Sequence, residues 1–105
     1  MVKISADLIF LKLFSENIDN NKVLVKLLNV GKFNDLLIVF ELCKNILLGN
    51  VPILPKVINK LRIFEKDLIL LADKKVAFNN KIKLLLKKIH MFKILISIAE
   101  KFLLN

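Results

Sequence analysis

The sequence predicts an all-α fold, a compact bundle of about five helices with the last one long. Three observations carry this. Apolar residues recur at alternating spacings of three and four, which is the mark of one helix face. Helix-interrupting residues are scarce, with two Gly and two Pro among 105 residues. That length suits one hydrophobic core rather than two, so residues 1–105 read as a single helical domain.

The elements follow in order. Ser5 is placed to cap a first helix running to about residue 15, with Asp7 favourable in its first turn. Residues 17–21 are a polar break. A second helix begins near Asp19 or Asn20 and runs to Asn29, where Gly31 is suited to end it. Asn34 is the expected cap of a third helix, which stops at Gly49 and turns Leu36, Phe40, Cys43 and Leu47 to one face.

Gly49-Asn50-Val51-Pro52 is a strong turn, and Pro55 fits the first position of a fourth helix over residues 55–73. Val57, Leu61, Phe64, Leu68 and Leu71 form its buried seam, leaving Arg62, Glu65, Lys66 and Asp67 for water. Residues 74–78 connect to a fifth helix capped by Asn79. Its main stripe is Ile82, Leu85, Ile89, Phe92, Ile96, Ala99 and Leu103, with Lys83, Lys87 and Lys101 roughly opposite. A second apolar strip of Leu84, Met91, Leu95, Ile98 and Phe102 implies two neighbours for this helix, one of them a candidate second subunit.

Charge is divided unevenly. Residues 1–52 carry six Lys and five acids; residues 53–105 carry twelve Lys or Arg and four acids, hence a more neutral half and a basic half. No acid lies between Asp73 and Glu100, whereas Lys74, Lys75, Lys81, Lys83, Lys87, Lys88 and Lys93 do. An uncompensated positive surface of this kind suits polyanions. Seventeen Lys against one Arg favours sequence-independent phosphate contact over base readout, which relies on the guanidinium fork. Eleven Asn and the abundance of Ile and Lys also carry the imprint of an A+T-rich coding sequence.

The chemistry of catalysis is not evident. His90 is the single histidine, without a partner at metal-ligand spacing, and Ser5, Ser15 and Ser97 lie in no nucleophile motif. No glycine loop cradles a phosphate. The expectation is a non-enzyme without cofactor or metal. Cys43 is the only cysteine and reads as a small buried hydrophobe. Phe40, Phe64 and Phe92 fall on core stripes. Phe78, between Lys75 and Lys81, is either a base-stacking platform or a hydrophobic staple. No signal peptide and no uncharged run of 18 residues is read, so the expected location is intracellular.

The words Cys43, Asn45, Leu47, Gly49-Asn50-Val51-Pro52, Leu61, Leu68, Leu71-Ala72-Asp73-Lys74-Lys75-Val76, Lys81 and Lys83 give residues 35–88 a resemblance to a family. They resemble the small basic proteins of Polinton (Maverick) elements and adintoviruses, themselves compared with adenovirus core or minor virion proteins. The resemblance implies a virion or nuclear setting and DNA contact through the lysines. Two departures accompany it. Residues 53–67 are mainly apolar with compensating acids rather than densely basic, and Ile89-His90-Met91-Phe92 stands where the family has a Gly-Gly-Phe junction. A divergent copy with a mainly structural role is consistent with both.

The expected function is therefore a non-catalytic, virion- or core-like protein. It would bind nucleic-acid phosphates without sequence specificity through Lys74, Lys75, Lys81, Lys83, Lys87 and Lys88. The alternative is a helical protein–protein interaction module or homo-oligomer, such as a capsid-associated adaptor, prompted by Leu, Ile, Val and Phe filling 52 positions. A membrane-surface role for residues 79–104 ranks third.

Overall fold

A computed structural model describes residues 6–104, with side chains described for residues 8–103. The expected Ser5 cap and the Asp7 side chain lie outside the described residues. Seven α-helices form, and no strand occurs among the described residues. They are α1 (Ala6–Glu16), α2 (Asn21–Val30), α3 (Phe33–Leu47), α4 (Pro55–Arg62), α5 (Glu65–Ala72), α6 (Phe78–Lys87) and α7 (Ile89–Ala99). A π-helical segment, Glu100–Leu104, extends α7. The radius of gyration is 12.8 Å, the value of a single compact body of this length, about 13 Å.

The polar punctuation does much of what its chemistry suggests. Asn20 caps α2, its side-chain oxygen accepting the Val23 N–H at 3.3 Å. Gly31 closes the helix by donating its N–H to the Leu27 carbonyl at 2.9 Å. A Cβ there would be tight, 3.2 Å from that carbonyl oxygen and 3.3 Å from the Phe10 ring, so a larger residue requires these neighbours to shift slightly. Gly49 ends α3 for a different reason, its φ of 75°. There the Asn50 N–H reaches the Asn45 carbonyl and the Gly49 N–H the Ile46 carbonyl, which together satisfy the last turn in a Schellman arrangement. Pro55 opens α4 as expected.

Two caps differ from expectation. The N-cap of α3 is Lys32, whose backbone N–H donates to the Asp35 carboxylate at 2.9 Å, so Asn34 lies inside the helix. The N-cap of α6 is Ala77, which puts Asn79 inside as well. In both places the helix starts at a phenylalanine, Phe33 or Phe78. These two rings pack on each other with centroids 5.9 Å apart. Each helix thus starts upstream of its best polar cap, at the ring that meets the other.

The larger correction concerns number. The fourth predicted helix divides at Ile63–Phe64 and the fifth at Lys88, neither of which contains Gly or Pro. At the first break the Phe64 N–H turns to the Leu61 carbonyl, a tighter i to i+3 bond, at 2.9 Å. At the second, Lys88 leaves helical geometry with φ −114° and ψ 55°. A straight helix over residues 79–104 would measure about 39 Å at ~1.5 Å per residue; divided at Lys88, the segment lies within a body whose greatest extent is 34 Å. The division lets α6 and α7 each bury an apolar face, with Ile82 and Leu85 in one and Phe92 and Ile96 in the other. In the other case α4 rests on α7 whereas α5 rests on α3 and α6, so one rod cannot serve both.

Helices α3 and α7 form the centre. α3 packs on α1, α5 and α7; α7 packs on α1, α3, α4 and α6. α7 accordingly buries Met91, Phe92, Leu95, Ile96, Ile98 and Ala99, residues from both predicted strips. The second strip is consumed inside this domain over most of its length, which explains it without another subunit. The α4–α5 seam survives its break, with Leu61, Phe64, Leu68 and Leu71 buried. Leu47 and Leu103, expected on buried faces, are instead exposed at the ends of their elements.

Candidate functional site

The short link between α5 and α6 holds the first two candidate lysines in a fixed bend. α5 stops at Asp73, whose carboxylate accepts the Lys75 N–H at 2.9 Å while its carbonyl accepts the Val76 N–H at 3.2 Å. This aspartate turn projects Lys74 and Lys75 from an exposed corner. α6 then carries Lys83 and Lys87 four residues apart, on one face of the helix and both exposed.

Lys75, Lys83 and Lys87 line one open cavity of about 620 Å³, together with Leu70, Val76, Asn80 and the stem of Lys81. No carboxylate lines it. Ala77, where α6 begins, is part of the same wall, and the first turn of α6 bears no acid, so the positive end of the helix adds to the lysine field. Asn80 had no sequence signal beyond its polarity.

The remaining candidates are placed elsewhere. Lys81 is withdrawn from the surface, 4% exposed, with Nζ 4.7 Å from the centroid of the Phe40 ring. Its ammonium is held below the usual lysine range, chiefly by desolvation, with Asp73, Cys43 and Glu41 pulling the other way. A signal for this existed: Lys81 lies one turn before Leu85 and therefore on its buried face. Lys88 points to the start of α5, pairing with Asp67 at 4.0 Å and lying 6.0 Å from the Phe64 ring centroid. Lys101, expected beside Lys83 and Lys87, sits past the Lys88 break and lines a different cavity with Lys60.

Lys74 joins a second cavity with Lys81 and Lys44. Lys44 belongs to the more neutral half of the sequence, and only the packing of α3 against α5 brings it here. Phe78 is neither a free platform nor a staple. It packs against Phe33 and Phe40, with ring centroids 5.9 and 6.2 Å away.

Cys43 is fully buried on α3, and burial pushes its thiol up to about 12, with Lys81 partly opposing. Between the unfolded thiol's pKa, 9.0, and about 12 the unfolded chain has released a proton that the folded chain retains. Stability must then fall as pH rises, by up to about 1.4 kcal/mol per pH unit. Lys81 acts in the opposite sense below its unfolded value of 10.5, since its folded form gives up the proton earlier. Denaturant titrations of the wild type and Cys43→Ala across this alkaline window should show the thiol-dependent decline in the wild type alone.

The other chemistry is modest. His90 is exposed, 6.4 Å from the Phe64 ring centroid, and no cluster of three His, Cys, Asp or Glu suited to a metal occurs among the described residues. No described helix is long and apolar enough to cross a membrane. No protein-family model matches the chain, and no characterised protein or solved structure is significantly similar to it.

Proposed function

We propose that this chain is a non-catalytic basic structural protein that binds nucleic-acid phosphates without sequence specificity, in the manner of a virion or core protein. The observation that carries the proposal is the acid-free concavity containing Lys75, Lys83 and Lys87. Flexible ammonium groups around a groove suit a backbone of repeating phosphates and carry no base code. Lys81 and Lys88 drop out of this surface, one buried and the other paired with Asp67.

Lys74 lines the neighbouring cavity with Lys44, so the contact number narrows from six candidates to about three. Duplex affinity measured over a salt series should give log K against log salt a slope of about −3, at ~0.9 per phosphate neutralised. Sizing the protein with and without a short duplex completes the test. A flat salt series, or an oligomer that forms equally without duplex, would overturn this proposal in favour of a helical interaction module.

A further inference from the structure

Lys81 is the one charged residue that is buried among the described residues. Its stem packs in the wall while its ammonium, held over the Phe40 ring, faces a cavity rather than the core. None of the described carboxylates is ion-paired with it; the Phe40 ring faces it at 4.7 Å, and Glu41 and Asp73 act on it only through space. Lys81 and Phe40 belong to the wall of a cavity of about 350 Å³ that also includes Phe33, Glu41, Lys44 and Lys74. Lysines from α3, the α5–α6 link and α6 thus line one cavity, with one carboxylate among them.

We propose that this cavity binds a phosphate monoester carrying a planar ring, a ligand of the mononucleotide class. The phosphate end follows from charge. Three lysines and one carboxylate line the wall, with Asp73 acting on Lys81 from outside it, so a positive surplus remains for a phosphate monoester, itself about −1.5 to −2. The ring end follows from Phe33, which is 47% exposed although Phe40 and Phe78 hold its position. Aromatic surface beside a cationic pocket is a stacking surface for a base. Size agrees as well, since the cavity is at the small end of the ligand range of about 300–1,000 Å³. The neighbouring groove of Lys75, Lys83 and Lys87 is not required, so this site stands or falls independently of duplex binding.

The test is calorimetric titration of the full chain with AMP, ribose 5-phosphate and inorganic phosphate at one salt concentration. AMP should bind at least tenfold more tightly than the other two. Lys81→Met should weaken AMP at least tenfold while melting no lower than the wild type, because a partly desolvated ammonium is replaced by an apolar chain of similar length. Phe33→Ala should bring AMP down to the level of ribose 5-phosphate. Lys44→Gln, at an exposed position, should also weaken AMP, which keeps the proposal testable should Lys81→Met fold poorly. Equal affinity for AMP and inorganic phosphate overturns the proposal, as does undiminished AMP binding by the folded Lys81→Met or Lys44→Gln protein. A 5′-phosphorylated single strand serves as a further arm. Binding of that strand as tight as AMP, lost in Lys81→Met, assigns the site to a strand terminus; binding of AMP alone assigns it to free nucleotide, and either result supports the shared chemistry. Duplex binding that persists in Lys81→Met separates this site from the basic groove.

Discussion

Replacing Phe92 with Ala is expected to remove about 3–5 kcal/mol of stability, the usual cost of deleting a fully buried aromatic ring. Phe92 is completely buried on α7 and meets Phe14 of α1 edge to face, with centroids 4.9 Å apart and planes at 87°. Phe14 in turn meets Phe10 at 4.9 Å, so the lost ring ends a run of three. A domain of this size has about 5–15 kcal/mol in total, and the substitution therefore takes a large share of it. At about 4–8 °C per kcal/mol, Tm should fall by more than about 12 °C in a thermal melt followed by helicity. Phe102→Ala is the matched control. Phe102 lies on the second apolar strip of the sequence yet is 39% exposed, so its loss should cost much less. Equal shifts for the two variants would mean that the packing of α7 between α1 and α3 is misassigned.

The second large effect is on binding. Changing Lys75, Lys83 and Lys87 together to Gln should remove nearly all the salt dependence of duplex binding, flattening the log–log slope by about 2.7. All three positions are exposed, so the melting temperature should barely move. Lys88→Gln should leave most of the slope intact, because Lys88 is engaged with Asp67 and lies over Phe64. A triple variant that keeps the wild-type slope would place the phosphate contacts on some other lysines. The contrast matters because Lys87 and Lys88 are neighbours in the sequence, yet Lys87 lines the groove and Lys88 turns toward Asp67.

How far the sequence reached is seen in particular residues. The all-helical class, the α4–α5 seam of Leu61, Phe64, Leu68 and Leu71, and the burial of Phe40, Cys43 and Phe92 were legible because each depends on local periodicity. The Gly49–Pro52 turn was legible because its backbone geometry demands a residue tolerant of positive φ. The segment from Leu71 to Val76 likewise has a local explanation: a buried leucine, an aspartate that stops α5, and two lysines on the bend it makes. These words describe the architecture whatever their ancestry.

Within the candidate site, legibility was partial. Lys75, Lys83 and Lys87 share a cavity as the acid-free stretch suggested, but Lys81 and Lys88 are diverted and Lys44 arrives from the other half of the chain. Nothing local marks Lys44, because its neighbours in space come from α5 and α6.

The amino-acid sequence by itself determined which faces must leave water and where a backbone cap or turn is chemically required. Periodicity and turn chemistry act over a few residues, so a few residues suffice to read them. The breaks at Ile63–Phe64 and Lys88, the internal use of the second apolar strip and the burial of Lys81 over Phe40 were decided only by the tertiary structure. Divided at Lys88, the 26-residue segment lies within a body 34 Å across. Folding it back to bury both halves also fixes which lysines share a surface and which are turned inward.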